Sequence, residues 1–226
     1  MKNKKLLMIP GPTPVARSIQ DEMGRETVAF GDPAFVSDFK TLLAELKTMM
    51  NSSGEVFVIS GSGTLAMEMA IANTTRRGDN VLIVSHGYFG DRFVGLCERK
   101  GLQVDVLSAE WGKVVSPEEI RKQLEQKSYA AVTVTHVDTA TGAVAPVEAI
   151  GQVMKDFPDT LYIVDGVCAT AGIKEDVDGM GIDILLTGSQ KAFGVAPGLA
   201  MVWASAKAME RRKDRKSTRL NSSHRL

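Results

Sequence analysis

The chain has 226 residues, a length that suits one α/β domain, or one domain and part of a second. Its 27 basic residues balance its 27 acidic residues, so the charge favours neither a nucleic acid nor an anionic membrane as a partner. The two cysteines and three histidines show no spacing typical of a disulfide framework or a metal site. No apolar run is long enough for a membrane span or a signal peptide. We therefore expect a cytoplasmic protein without a bound metal.

Short apolar runs alternate along the chain with helical patterns. In chain order the sequence predicts a strand at 56–60, a helix at 65–73, a strand at 80–85, a helix at 91–100, a strand at 102–107, a helix from 116, a strand at 130–134, a helix at 147–157, and strands at 161–164, 182–186 and 199–203. Ser116-Pro117-Glu118-Glu119 is a capping box with proline at the first helical position. The alternation predicts an α/β fold of three layers, αβα, with a mostly parallel sheet.

The helix and strand patterns stop near residue 213. Residues 214–226 carry a basic excess without a helical or strand period, and residues 216–226 resemble translated sequencing-adapter read-through. We interpret 214–226 as a non-native, disordered tail. The chain before it divides into an N-terminal segment over 1–20 and a large domain over 21–213.

Two charged residues follow strands of the predicted sheet. Lys191 comes soon after the run 182–186, in a loop of small residues, and Asp165 ends the strand at 161–164. Taken alone, Lys191 is an ordinary surface lysine, and Asp165 is a turn residue or a helix cap. Because ligands of parallel sheets bind at the carboxyl ends of the strands, both residues are also candidates for a site.

A third candidate is the turn Ser60-Gly61-Ser62-Gly63-Thr64 between a strand and a helix. Its glycines let the backbone approach a phosphate, and free N–H groups at the helix N-terminus attract an anion. An ordinary tight turn is the plainer interpretation. The turn also fits the dinucleotide motif G-x-G-x-x-A, but that motif requires an acidic residue after the next strand, where Ser85-His86-Gly87 stands.

Lysine, carboxylate and phosphate-binding turn are together what pyridoxal phosphate requires. With these residues the chain resembles the class V aminotransferases, which are fold type I pyridoxal phosphate enzymes, and among them the alanine–glyoxylate and serine–pyruvate group. The resemblance extends from Ile9-Pro10-Gly11-Pro12-Thr13-Pro14 to about Trp203. It implies that Lys191 is the Schiff-base lysine and proton shuttle, and that Asp165 pairs with the pyridine nitrogen. It also implies a phosphate site that consists of Ser62, Gly63, Thr64 and Gln190.

Three further positions match the family. Phe89 stands where the family stacks an aromatic residue, often tryptophan, on the cofactor ring, and Tyr88 takes this role if the register is off by one. Thr139 matches a hydroxyl that contacts the cofactor, and Gly11 matches the N-terminal segment that lines the substrate site. Their plainer interpretations are a core phenylalanine, a turn threonine and a loop glycine.

The resemblance implies a transaminase that moves the amino group of alanine or serine to a 2-oxo acid such as glyoxylate or pyruvate, in homodimers with shared sites. Phe30-Gly31-Asp32-Pro33 stands near where relatives often have Gly-His-Arg, which bears on the substrate preference. Family members are longer and carry a carboxylate-binding arginine in a C-terminal domain without a counterpart here, so we expect this chain to be inactive by itself. The alternatives are an aminoethylphosphonate transaminase, a lyase or a desulfurase of the same class, or an inactive fragment.

Overall fold

The structure, a computed structural model, describes residues 6–213. Within these residues the strands are β1 (Glu55–Ser60), β2 (Asn80–Ser85), β3 (Gln103–Ser108), β4 (Ala131–Thr135), β5 (Leu161–Asp165), β6 (Ile184–Gly188) and β7 (Leu199–Ala204). The helices are α1 (Arg17–Met23), α2 (Pro33–Met49), α3 (Gly63–Thr74), α4 (Tyr88–Arg99), α5 (Pro117–Gln126), α6 (Val147–Met154) and α7 (Ala206–Lys213). The predicted tail over 214–226 lies outside the described residues, and the predicted division at residue 20 falls inside α1.

All seven strands form one sheet in the order β1-β7-β6-β5-β4-β2-β3. Strands β2 to β6 pair in parallel, whereas β7 lies antiparallel between β6 and β1. The carboxyl ends of every strand except β7 therefore lie at the same edge of the sheet. The prediction of a mostly parallel sheet is confirmed.

Helices cover both faces of the sheet because side chains alternate between the two faces along each strand. On one face, Val132, Val134 and Val164 pack against residues of α2, α5 and α6. On the other face, Ile83 and Ile163 pack against residues of α3, α4 and α7. The central strands β4, β5 and β6 are buried along their whole length, as expected of parallel strands between two helical layers. The predicted three-layer αβα fold is confirmed.

Every predicted strand and helix is present, but several ends differ. Helix α4 begins three residues earlier than predicted, and the prediction of a helix up to residue 157 is wrong because α6 ends at Met154 and short turns follow. Strand β6 begins at Ile184 instead of residue 182. Helices α1, α2 and α7 lie where no element was predicted. Helix α2 has a clear local start, since the Asp32 carboxylate accepts hydrogen bonds from Ala34 N and Phe35 N.

The buried carboxylate of Asp183 links α7 to the sheet, at the edge that lies opposite the carboxyl ends of the parallel strands. Oδ2 of Asp183 accepts hydrogen bonds from Tyr162 N at 2.9 Å and from Lys207 Nζ at 2.8 Å. Its Oδ1 accepts a hydrogen bond from Ser205 Oγ at 2.8 Å. Because Asp183 is only 8% exposed, removing it would leave the N–H of Tyr162 buried without an acceptor. None of the helices in residues 6–213 has the length and apolarity to cross a membrane.

Candidate active site

The lysine loop and the predicted phosphate-binding turn meet at the carboxyl edge of the sheet. Lys191 follows β6, the turn follows β1, and the first residue of β7 lies between them. Gly61 N donates a hydrogen bond to Gly198 O at 2.8 Å, and Ser189 N donates one to Leu199 O at 3.0 Å. The antiparallel insertion of β7 thus holds the two predicted parts of the site two strands apart.

The N-terminal segment packs directly on Lys191. Its Nζ donates a hydrogen bond to Pro10 O at 3.1 Å, and the Thr13 hydroxyl donates one to Lys191 O at 2.7 Å. Gly11 lies so close that an added Cβ would stand 2.9 Å from Nζ and 2.6 Å from Cδ of the lysine. A side chain at this position would displace the flexible end of Lys191, and the φ of +157° strains any residue other than glycine, so Gly11 has a reason beyond that of a plain loop glycine.

Ser189 holds the two ends of the lysine loop together. Its buried hydroxyl donates a hydrogen bond to Ala196 O at 2.6 Å and accepts one from Leu199 N at 3.3 Å. The predicted phosphate residue Gln190 folds its side chain back over Gly188, where an added Cβ would stand 2.6 Å from the side-chain Oε1. The hydrogen bonds of Ser189 therefore hold the start of the loop that carries Lys191 against its end.

Asp165 is the last residue of β5 and is 2% exposed. Its Oδ1 accepts a hydrogen bond from Val167 N at 3.0 Å, and it has no ion pair with a cationic side chain within residues 6–213. Burial raises the pKa of Asp165 to about 6, with smaller increases from the nearby Asp138 and Glu175. The N–H of Val167 and the charge of Arg92 lower the same pKa, but they do not outweigh burial.

The predicted phosphate-binding turn begins α3. Ser62 is the N-cap residue, and its hydroxyl accepts a long hydrogen bond from Leu65 N at 3.4 Å. Gly63 touches the loop that follows Asp165, since an added Cβ would stand 2.7 Å from Cγ2 of Val167. Thr64 Oγ1 accepts a hydrogen bond from Arg92 Nη1 at 2.7 Å. The turn is thus in contact with both the Asp165 loop and helix α4.

Asp138 positions the predicted stacking residue Phe89. Its fully buried carboxylate accepts hydrogen bonds from Phe89 N at 2.7 Å and from Ala140 N at 2.8 Å. Gly87 permits this approach, because a Cβ there would stand 2.3 Å from the carboxylate carbon. Phe89 is half-buried in the first turn of α4, whereas the alternative residue Tyr88 is 54% exposed.

The predicted hydroxyl residue Thr139 faces the Asp165 loop. Its Oγ1 lies 2.7 Å from Cys168 Sγ, three residues after Asp165. Together these contacts link the residues predicted from the sequence into one cluster at the carboxyl edge. The cluster consists of Gly11, Ser62, Gly63, Thr64, Phe89, Thr139, Asp165, Gln190 and Lys191.

A second polar group lies buried beside Asp165. His136 Nδ1 and Glu175 Oε1 are 2.6 Å apart, and His136 N donates a hydrogen bond to Asp165 O at 2.8 Å. Glu175 Oε2 and both ring nitrogens of His86 are buried without a hydrogen-bond partner in the described residues. Burial lowers the pKa of His86 and so favours its neutral form.

Sequence reasoning missed four residues of this edge: Thr13, Arg92, Asp138 and Glu175. Asp138 had a visible signal, because it follows β4 just as Asp165 ends β5. Nothing in the sequence indicated Arg92 or Glu175, because neither residue stands directly after a strand.

Comparisons with known proteins identify the family of the chain. The chain matches the family described as aminotransferase class V over residues 34–217. An uncharacterized aminotransferase from Methanocaldococcus jannaschii is 40% identical over 208 residues, which are 92% of this chain and 54% of that protein. Alanine–glyoxylate aminotransferase 1 from Saccharomyces cerevisiae is 37% identical over 218 residues, covering 92% of this chain and 57% of the yeast protein.

The fold has close counterparts among solved structures. The ureidoglycine–glyoxylate aminotransferase of Bacillus subtilis superimposes with a TM-score of 0.90 at 28% identity, covering 96% of this chain and 57% of that one. The chain spans about half the length of the curated relatives it matches. Since the family match covers most of the sequence and the site lies where the fold binds ligands, the chain belongs to the class V aminotransferase family.

Proposed function

We propose that the complete protein is a pyridoxal phosphate-dependent aminotransferase, with Lys191, Asp165 and the turn at Ser62, Gly63 and Thr64 as the cofactor site. The observation that carries this proposal is Asp165. A carboxylate this deeply buried is costly unless it meets a positive charge, and it has no cationic partner in an ion pair within the described chain. A protonated pyridine nitrogen would supply that charge.

The surroundings of Asp165 fit the rest of the cofactor. Phe89 and the Asp165 loop offer an aromatic face and a close-packed wall, and the first turn of α3 offers backbone N–H groups and hydroxyls for a phosphate. Lys191 reaches the same edge from β6 with its amine on a backbone carbonyl that it can leave easily. Thr139 and Gln190 complete the proposed set of cofactor contacts, and Gly11 is the proposed substrate contact.

Bound pyridoxal phosphate supplies an aldehyde carbon that bonds to amines and a ring that accepts the electron pair of the α-carbon. The chain's own residues then have separate tasks. Nζ of Lys191 would take the proton from the substrate α-carbon and return one at the end of the transfer. The Asp165 carboxylate would hold the ring nitrogen in its protonated form. The Pro10 carbonyl and Gly11 would orient the lysine between these steps.

The substrates proposed are alanine or serine as amino donor and a 2-oxo acid, glyoxylate or pyruvate, as acceptor. The yeast relative is named for alanine and glyoxylate, and the Bacillus subtilis structure for ureidoglycine and glyoxylate. These two names share the acceptor and differ in the donor, so glyoxylate is the better supported half of the pair. The sheet edge described here carries the proposed cofactor contacts, whereas substrate contacts outside this half of the protein would distinguish the donors.

The experiment begins with this chain. The purified protein is mixed with pyridoxal phosphate, reduced with borohydride and digested, and mass spectrometry then locates the bound pyridoxyl group. The expected result is modification of Lys191 at concentrations at which the exposed lysines Lys113 and Lys213 stay unmodified. Lys191→Arg, which keeps the charge but forms no imine, serves as the control. Modification spread evenly over surface lysines would contradict the proposed site.

The activity is then tested on the complete protein. Alanine and glyoxylate should give pyruvate and glycine, with serine as the alternative donor, and Lys191→Ala should abolish the reaction. We further propose a homodimer in the cytoplasm. Exposed apolar side chains in the N-terminal segment, Leu6, Met8 and Ile9, and the two free cysteines support this proposal. In this proposal residues 1–20 line the site, residues 21–213 form the cofactor-binding domain, and 214–226 are non-native.

A further inference from the structure

Arg92 lies where the phosphate-binding turn meets the proposed stacking aromatic. It stands on the second turn of α4, and its Nη1 donates a hydrogen bond to Thr64 Oγ1 at 2.7 Å. Its Nη2 donates a hydrogen bond to Tyr88 Oη at 3.2 Å. The guanidinium carbon lies 5.3 Å from the centroid of the Phe89 ring and 5.2 Å from that of Tyr88. One side chain thus touches both the proposed phosphate site and the proposed ring site.

Within residues 6–213 Arg92 forms no ion pair, although its charge acts at a distance on the buried Asp165. Three other arginines of the described residues, Arg17, Arg25 and Arg121, form ion pairs with carboxylates, whereas the contacts of Arg92 are two hydroxyls and two aromatic rings. The arginine is half-buried, so water screens its charge less than that of a surface arginine. A fixed positive charge therefore stands beside the free N–H groups of α3.

A phosphate dianion matches this arrangement in charge and in geometry. Because Thr64 Oγ1 accepts a hydrogen bond from Arg92, its own hydroxyl hydrogen is free to point at an anion in the turn. The planar guanidinium carries further N–H groups in a rigid fork that suits phosphate oxygens. A lysine would supply the charge without the fork and without the same stacking on aromatic faces.

We infer that Arg92 is a positioning residue of the phosphate site: it fixes the Thr64 hydroxyl, and its charge makes the site select a phosphorylated ligand over the same ligand without phosphate. This inference rests on the proposed function, since it takes the turn at the start of α3 as the place of the cofactor phosphate.

The test compares two ligands that differ only in the phosphate. Pyridoxal phosphate and pyridoxal are each titrated into this chain, and the concentration for half-maximal borohydride-fixed modification of Lys191 is measured for both. Arg92→Gln should raise that concentration about tenfold or more for pyridoxal phosphate and leave pyridoxal nearly unchanged. Arg92→Lys should recover part of the selectivity. Arg99→Gln, an exposed change of the same charge on the same helix, should alter neither value.

The possible results separate a failure of this inference from a failure of the proposed function. A merely structural arginine would weaken both ligands by the same factor, and that result would overturn the inference while leaving the proposed function intact. An Arg92→Gln variant in which neither half-maximal concentration changes would also overturn the inference. If the unsubstituted chain showed no specific modification of Lys191 by either ligand, the proposed function and the inference would fail together. Unfolding of each variant in urea is measured alongside, so that a loss of fold is separated from a loss of selectivity.

Discussion

Replacing Asp165 with asparagine should make the chain more stable at neutral pH in the absence of cofactor. The carboxyl is buried, and burial raises its pKa from 3.8 to about 6, so ionising it costs the folded state more than the unfolded state. This difference in pKa between the folded and the unfolded chain corresponds to a loss of about 3 kcal/mol in the free energy of unfolding at pH above 7. Asparagine has nearly the same shape and keeps an oxygen for the N–H of Val167, but it carries no charge.

The difference in stability between Asp165→Asn and the unsubstituted chain depends on pH. Because the folded carboxyl holds its proton more tightly than the unfolded one, its favourable contribution is complete below pH about 4 and is lost as the pH rises through about 6. From pH well below 4 to pH above 7 the unsubstituted chain should therefore lose about 3 kcal/mol relative to Asp165→Asn. The other acidic groups titrate in both proteins, so the difference between the two curves isolates this one carboxyl.

The assay is urea unfolding followed by circular dichroism, at several pH values between 4 and 8. Asp156→Asn is the control, because this exposed aspartate pairs with Arg121 on the surface, and its free energy of unfolding should change by less than about 1 kcal/mol at any pH. A stability difference between Asp165→Asn and the unsubstituted chain that does not vary with pH would refute the reasoning. Saturating pyridoxal phosphate should reverse the order, because only the carboxylate can pair with a charged ring nitrogen.

Three further substitutions test the supports of the site and of the fold. Asp138→Ala should lower the free energy of unfolding by about 3 kcal/mol, because two backbone N–H groups lose a charged acceptor, and Asp156→Ala is its exposed control in the same urea assay. Asp183→Ala should cost a similar amount, about 3 kcal/mol, and should speed amide exchange in α7, measured by mass spectrometry. Ser189→Ala should speed amide exchange in residues 190–198 while exchange in β4 stays unchanged; equal acceleration in both segments would contradict a local role.

Local sequence patterns predicted most of the sheet and the residues that end its strands. Apolar runs of strand length identify β4, β5 and β6 because both faces of these strands are buried, so every side chain must be apolar or small. Asp165 and Lys191 were visible for the complementary reason: each is a charged residue that stands at the end of such a run or a few residues after it. The direction of β7 was open to prediction too, because the connection from β6 is too short for a parallel crossover.

What the sequence could not show depends on distant partners. The sequence predicted the start of α4 at residue 91, and in the structure no side chain of the preceding loop caps the helix at Gly87. The helix starts earlier because the Asp138 carboxylate, 49 residues away, accepts the N–H of Phe89. Arg92 was missed for the same reason, since its contact with Thr64 joins two helices that are separated by a strand. Periodicity and capping rules describe neighbours along the chain and do not reach such contacts.

The pairing of β1 with β7 has a consequence for how the protein is made. Within the described sheet, β1 is the first strand to leave the ribosome and its only neighbour is the last strand to be synthesised. Until residues 199–204 emerge, the nascent chain can pair β2 to β6, but β1 has no strand to pair with. Completion of the proposed cofactor-binding edge is therefore a late event of translation, and a chain stopped before β7 would keep Lys191 but lose the hydrogen bonds by which Gly198 and Leu199 join the lysine loop to the turn.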